Sequence, residues 1–227
     1  MNRQGLDAAA PRAGAEPLPQ ATPFDWTLPN TERWRTYAFW SSWVGVAFFA
    51  VYPALNWITA LRARPWHLYV PAELSIPFVP ALIWVYLSMF VLFLIPPFLL
   101  PSARMPALGK QLIAGTVLGG LVFLILPAEL GFAREVPATP GYAKIYAALF
   151  GLDRPYNLVP SLHVYFSAAI ALACAAVARP LTRTLLLVWL GVIALSTLFI
   201  HQHHVVDIVA AFALLLIVRR RFEVTHA

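Results

Sequence analysis

The sequence predicts an all-α integral membrane protein, a six-transmembrane-helix bundle behind a disordered N-terminal tail, and three observations carry that expectation. Of 227 residues, 60% are hydrophobic and only 11% are charged, against roughly 25% charged in a soluble globular domain. The mean hydropathy is +0.72. Apolar runs near the ~20 residues that cross a bilayer recur along the chain, and a backbone surrounded by hydrocarbon must pair its own N–H and C=O groups, which selects helices.

Residues 1–33 carry Pro11, Pro17, Pro19, Pro23 and Pro29 among alanines and scattered charges, with no apolar core for a signal peptide, and read as a disordered cytoplasmic tail. Residues 34–222 form one membrane domain, with spans expected at about 37–60, 76–100, 108–128, 160–178, 183–201 and 204–218. Pro53, Pro80 and the Pro96-Pro97 pair should kink or end helices, because proline lacks an N–H and crowds the preceding turn. In the loop at about 129–159, Ile145, Tyr146, Leu149 and Phe150 recur at helical spacing, which predicts an interfacial helix over Tyr142–Leu152. The alanines between Ala168 and Ala178 allow close helix packing. The one cysteine, Cys174, has no intrachain partner and says little about redox compartment.

Charge sets the orientation. With the N-terminus inside, the inner segments hold Arg3, Arg12, Arg33, Arg35, Arg104, Lys110, Arg179, Arg183, Arg219, Arg220 and Arg221, the majority of the 16 basic residues. The outer segments hold Arg62, Arg64, Arg134, Lys144 and Arg154. This bias predicts both termini in the cytoplasm. A net charge of +6 distributed this way implies no nucleic acid. Two lysines against fourteen arginines, with abundant alanine, fit a GC-rich bacterium and its inner membrane.

Two motifs sit at the polar edges of apolar runs, Pro160-Ser161-Leu162-His163 and His203-His204-Val205-Val206-Asp207. Ionisable groups are costly at the membrane and point to function. The expected topology puts both motifs on the extracytoplasmic side. Asp207 lies one helical turn from His203, so its carboxylate can accept the Nδ1–H, fix the tautomer and leave Nε2 free to attack. His163, on another helix, can then supply or remove a proton. A histidine nucleophile, a carboxylate that orients it and a second histidine suit phosphoryl transfer through a phosphohistidine. Such chemistry needs charge neutralisation, for which Arg134, Lys144 and Arg154 are at hand.

At these residues the chain resembles the type 2 phosphatidic acid phosphatase superfamily, and within it the branch of inositol phosphorylceramide synthase and sphingomyelin synthase. The resemblance covers roughly residues 75–220. The stretch from Asp153 to His163 looks like the branch's second motif, with Leu162 where the wider superfamily usually has glycine. Ser196 to Asp207 looks like the third motif. The resemblance implies His203 as nucleophile, Asp207 as its orienting carboxylate and His163 as acid and base. It implies no cofactor and no metal. Thr197 stands where the superfamily has arginine, and the first motif survives only as Arg134-Glu135, with Pro127 in place of its lysine. Arg134 is the leading candidate for binding the substrate phosphate, with Ser161 and Arg154 behind it.

The expected substrate is a lipid phosphate ester or pyrophosphate in the membrane. With water as acceptor the enzyme is a phosphatase; with a polyol or lipid hydroxyl it is a phosphotransferase. Two other readings use the same residues: a proton-coupled transporter, which would need charge near mid-bilayer, and a catalytically inactive partner protein. Each residue also has a purely structural role open to it. His203 and Asp207 form a buried pair in that case, His163 is an interfacial residue, and Lys144 and Arg154 are solvated loop charges. His201, His203 and His204 could bind zinc, yet their spacing matches no common zinc motif.

Overall fold

A computed structural model describes residues 26–61 and 65–222; the tail expected before residue 26 lies outside the described residues. Among the described residues the chain is helical and has no strand, only a single bridge between Trp66 and Ala128. Three helices are long and apolar enough to cross a membrane: α1 (Thr31–Ala60), the stretch Ser102–Ile125 that contains α5 (Met105–Ile125), and α8 (Pro180–Phe199). The remaining apolar helices are shorter.

Local chemistry explains where they begin and break. Asn30 caps α1, its Oδ1 accepting from Arg33 N–H at 2.9 Å, and the helix continues through Pro53. The run expected as one span at 76–100 is instead segmented. A 3-10 turn over Pro80–Leu82 leads into α2 (Ile83–Leu87) and α3 (Met89–Phe93), and α4 (Pro96–Leu99) follows. Pro96 and Pro97 supply no N–H for the preceding turn, so a continuous ladder cannot pass them. Ser88, between α2 and α3, uses its hydroxyl on Val85 O and accepts from Trp189 Nε1 at 2.8 Å. The interfacial helix expected over Tyr142–Leu152 is α6 (Pro140–Leu152). Its Tyr146 is buried against Phe78, Ile83, Tyr86 and Ile200.

The centre of the bundle is α7 (Leu162–Ala175), buried along most of its length and packed on α3, α5, α8 and α9 (Val205–Arg221). Its small residues, Ser167, Ala168, Ala169 and Ala171, let those neighbours approach. The Tyr165 ring lies on Gly115 and its hydroxyl donates to Gln111 O at 2.7 Å. A methyl group at Gly115 would overlap that ring, and overpacking of this kind costs about 1–3 kcal/mol. Only 14 residues long, α7 spans about 21 Å at 1.5 Å per residue.

The connections gather at two ends of the bundle. At one end Thr27 N–H reaches Phe98 O, Ser102 Oγ reaches Glu32 and Gln111 Nε2 reaches Phe222 O. At the other, Trp66 N–H bonds Pro127 O, Ala128 N–H bonds Tyr156 O and Val79 N–H bonds Phe199 O. Both histidine motifs lie at this second end.

Candidate active site

His203 sits in the turn between α8 and α9. The chain reverses there because His201 adopts the left-handed region at φ 56°, a conformation that histidine tolerates better than most residues. His201 stacks on Phe132 and its Nε2 lies 2.9 Å from Ile76 O. The carbonyl of Thr197 then collects the N–H groups of Gln202 and His203, at 2.9 and 3.1 Å. Thr197, where the resembled superfamily carries arginine, is fully buried, and its hydroxyl donates back to Ala194 O. Its part here is to shape the turn that presents His203.

Asp207 lies in the first turn of α9. Its Oδ2 is 3.0 Å from His203 Nδ1 and accepts the His204 backbone N–H at 2.8 Å. One oxygen therefore orients the imidazole and caps the helix, and among the described residues His203 Nε2 has no protein partner. The two motifs are tied together, since Ser161 N–H donates to Asp207 O at 3.1 Å. Ser161 is the N-cap of α7, its Oγ accepting from Val164 N–H at 3.3 Å. His163 follows in the first turn, its ring centroid 5.8 Å from that of His203. Its Nε2 is 2.5 Å from the hydroxyl of the buried Tyr86.

These groups form the polar end of a cavity of about 870 Å³. His163, His203, Tyr52, Tyr86, Asp153 and Asn157 line that end, and the rest of the wall is apolar apart from Tyr37 and Ser41. The Tyr52 hydroxyl donates to Asp153 Oδ1. Burial raises the Asp153 pKa above the ordinary aspartate value, opposed by the Tyr52 hydrogen bond, His203 and Arg134. Asn157 is 4% exposed and its Oδ1 lies 2.7 Å from Thr59 Oγ1, while Nδ2 has no partner among the described residues. A buried unpaired amide costs about 1–3 kcal/mol, and this one lines the cavity beside the histidines.

The candidate phosphate-binding residues are placed differently. Arg134 Nη1 donates to Asp153 O at 2.6 Å and to Phe150 O at 3.4 Å, and its guanidinium lies 4.9 Å from the Phe150 ring centroid. It holds the backbone that carries Asp153 and does not line the cavity. Arg154 is exposed, and its backbone N–H reaches Asn56 Oδ1. Ser161, fully buried as a cap, is also absent from the cavity wall. Among the described residues, no lysine or arginine lines the polar end.

The neighbouring histidines are committed elsewhere. His204 is stacked between Tyr69 and Phe132; its Nε2 accepts from Gly131 N–H at 3.0 Å and its Nδ1 is 3.1 Å from Glu73 Oε2. Glu73 also receives Val205 N–H at 2.9 Å and Val70 N–H at 3.1 Å, and so fixes the start of α9 from outside. Among the described residues, no three His, Cys, Asp or Glu side chains are grouped to hold a metal ion. Sequence reasoning missed Tyr52, Tyr86 and Glu73 because nothing in their local spacing marks them, and it gave no role to Asp153 or Asn157 although both lie in the stretch Asp153–His163.

No protein-family model matches the chain, and comparison with curated proteins and with solved structures finds no match to either.

Proposed function

We propose that the protein is a membrane lipid-phosphate phosphatase or phosphotransferase working through a phosphohistidine at the extracytoplasmic leaflet of a bacterial inner membrane. The observation that carries this reading is His203, held at Nδ1 by Asp207 and free at Nε2, beside His163 at the polar end of an apolar cavity. In this reading the chain crosses six times, by α1, the α2–α4 segment, α5, α7, α8 and α9, with both termini cytoplasmic. Grouping of alternate connections at opposite ends supports that path. Because α7 covers about 21 Å of a roughly 30 Å hydrocarbon core, His163 lies below the membrane surface.

His203 Nε2 attacks phosphorus as the bond from phosphorus to the leaving oxygen breaks, and that oxygen takes a proton from His163. The Tyr86 hydroxyl already occupies His163 Nε2, so the proton passes through Tyr86. Water or a hydroxyl then gives its proton back along the same route and attacks phosphorus, breaking the P–N bond. Asn157 Nδ2 donates to a phosphoryl oxygen in the place that a cation would take. Asp207 stabilises the positive charge that grows on the imidazole.

The test is to incubate the full chain in detergent with labelled lipid phosphates, with and without polyol and ceramide acceptors, and to measure free phosphate, new phospholipid and protein-bound label. Acid-labile, base-stable label on wild type, lost in His203→Ala, is expected. Full turnover by His203→Ala would overturn the phosphohistidine.

A further inference from the structure

The apolar part of the cavity has an origin that packing alone does not explain. Along α1 its lining runs from Tyr37 to Pro53, about 24 Å of helix at 1.5 Å per residue. That exceeds the ~15 Å depth of one leaflet, half of a ~30 Å hydrocarbon core. The opposite wall comes from α3 and α7, through Met89, Phe93, Phe166 and Ile170. α1 packs along α5, leaving the cavity between α1 and the α2–α3 segment. Phe49 and Phe90 both line it and are both more than half exposed, so the cavity wall reaches the outer surface of the bundle at these residues.

Gly45 is the decisive residue. A glycine in a helix interior costs about 1 kcal/mol relative to alanine. Gly109, Gly115 and Gly120 each make room for a side chain of a neighbouring helix, those of Trp40, Tyr165 and Leu55. Gly45 makes room for none: a side chain built there meets nothing within 4 Å, and the position lines the cavity. Its missing side chain leaves empty space halfway along an apolar channel that ends at His163 and His203.

We infer that one hydrocarbon chain of the lipid substrate is housed inside the protein, entering between Phe49 and Phe90 and lying past Gly45, so that α1 selects substrates by chain length. This rests on the lipid-phosphate reading for the identity of the head group, while chain binding is measurable without turnover. A chain leaving the bilayer for such a cavity exchanges one apolar surrounding for another, so affinity comes from contact with the walls and from the head group held at the polar end.

The experiment uses the full chain in nanodiscs, with Gly45→Phe, which fills the channel, and Val46→Phe, on the outward face where Val46 is 59% exposed. A hexadecyl phosphate with a diazirine in its chain is photolysed and the labelled peptides are identified. Label at Phe166 and Ile170 is expected in wild type and Val46→Phe, and its loss in Gly45→Phe. The ratio of kcat/KM for hexadecyl phosphate to that for butyl phosphate should fall at least about tenfold in Gly45→Phe, as the chain loses its contact with the cavity walls. Label confined to outward residues such as Phe39 and Val46, or a chain-length ratio unchanged by Gly45→Phe, overturns the inference. If no alkyl phosphate turns over in wild type while the internal label appears, the phosphatase reading fails and the chain site stands.

Discussion

Replacing Asp207 by Asn separates two roles that the carboxylate combines. In a serine protease triad the same change turns the histidine into the wrong tautomer and costs about 10⁴-fold in turnover. Here the geometry differs, because His203 Nδ1 and the His204 backbone N–H converge on a single oxygen, Oδ2, at 3.0 and 2.8 Å. The asparagine carbonyl will take that place, since the reverse placement would point an NH₂ at a backbone N–H. His203 then keeps its Nδ1–H tautomer and loses only the negative charge. A hydrogen bond to a charged group is worth about 1.5–3 kcal/mol and a neutral one about 1, so turnover should fall about 2- to 30-fold while the cap and the Tm stay near wild type. Single-turnover formation of labelled phosphohistidine, with thermal unfolding in the same detergent, measures both. A loss near 10⁴-fold would refute the retained tautomer, and unchanged turnover would make Asp207 a helix cap alone.

Three further outcomes follow from contacts around the site. Tyr86→Phe removes the hydroxyl 2.5 Å from His163 Nε2; single-turnover kinetics should show phosphoryl transfer to His203 slowed on the order of 10²-fold if the proton passes through it, and an equal or faster rate would show that Tyr86 only blocks the ring. Glu73→Gln leaves one carbonyl oxygen for donors that now use both carboxylate oxygens, and should cost about 1–3 kcal/mol, read as a lower Tm. Burial works against ionising Glu73, yet the N–H groups of Val205 and Val70 and the His204 ring hold its pKa below the ordinary glutamate value. Its contribution is thus full above that ordinary value and is lost as pH falls through the lowered one; a wild-type Tm that falls in acid no faster than that of Glu73→Gln would refute this. Ala138 is exposed in the connection between α5 and α6, so Ala138→Cys, with Cys174 replaced, should react with a membrane-impermeant thiol reagent in intact cells. Reaction only after lysis would place the site on the cytoplasmic side.

What the sequence by itself determined is what local pattern encodes. Composition and apolar run length settled the helical, membrane-compatible class, and the i, i+4 spacing of His203 and Asp207 was enough to place their side chains together, because one helical turn brings such residues to one face. Proline chemistry marked the break at Pro96 and Pro97, although the division of the second apolar run into α2, α3 and α4 also depends on Ser88 and its Trp189 partner, 101 residues away. Only the tertiary structure decided the rest of the site. Tyr86 meets His163 across 77 residues, Tyr52 meets Asp153 across 101 and Glu73 meets His204 across 131. No periodicity records such pairs, since they arise when separate helices pack. The same packing turned Arg134 to the backbone carbonyls of Phe150 and Asp153, away from the cavity, and left Asn157 Nδ2 unpaired at its wall. A charge in a sequence marks what a residue can do, and the fold decides which neighbour it spends that capacity on.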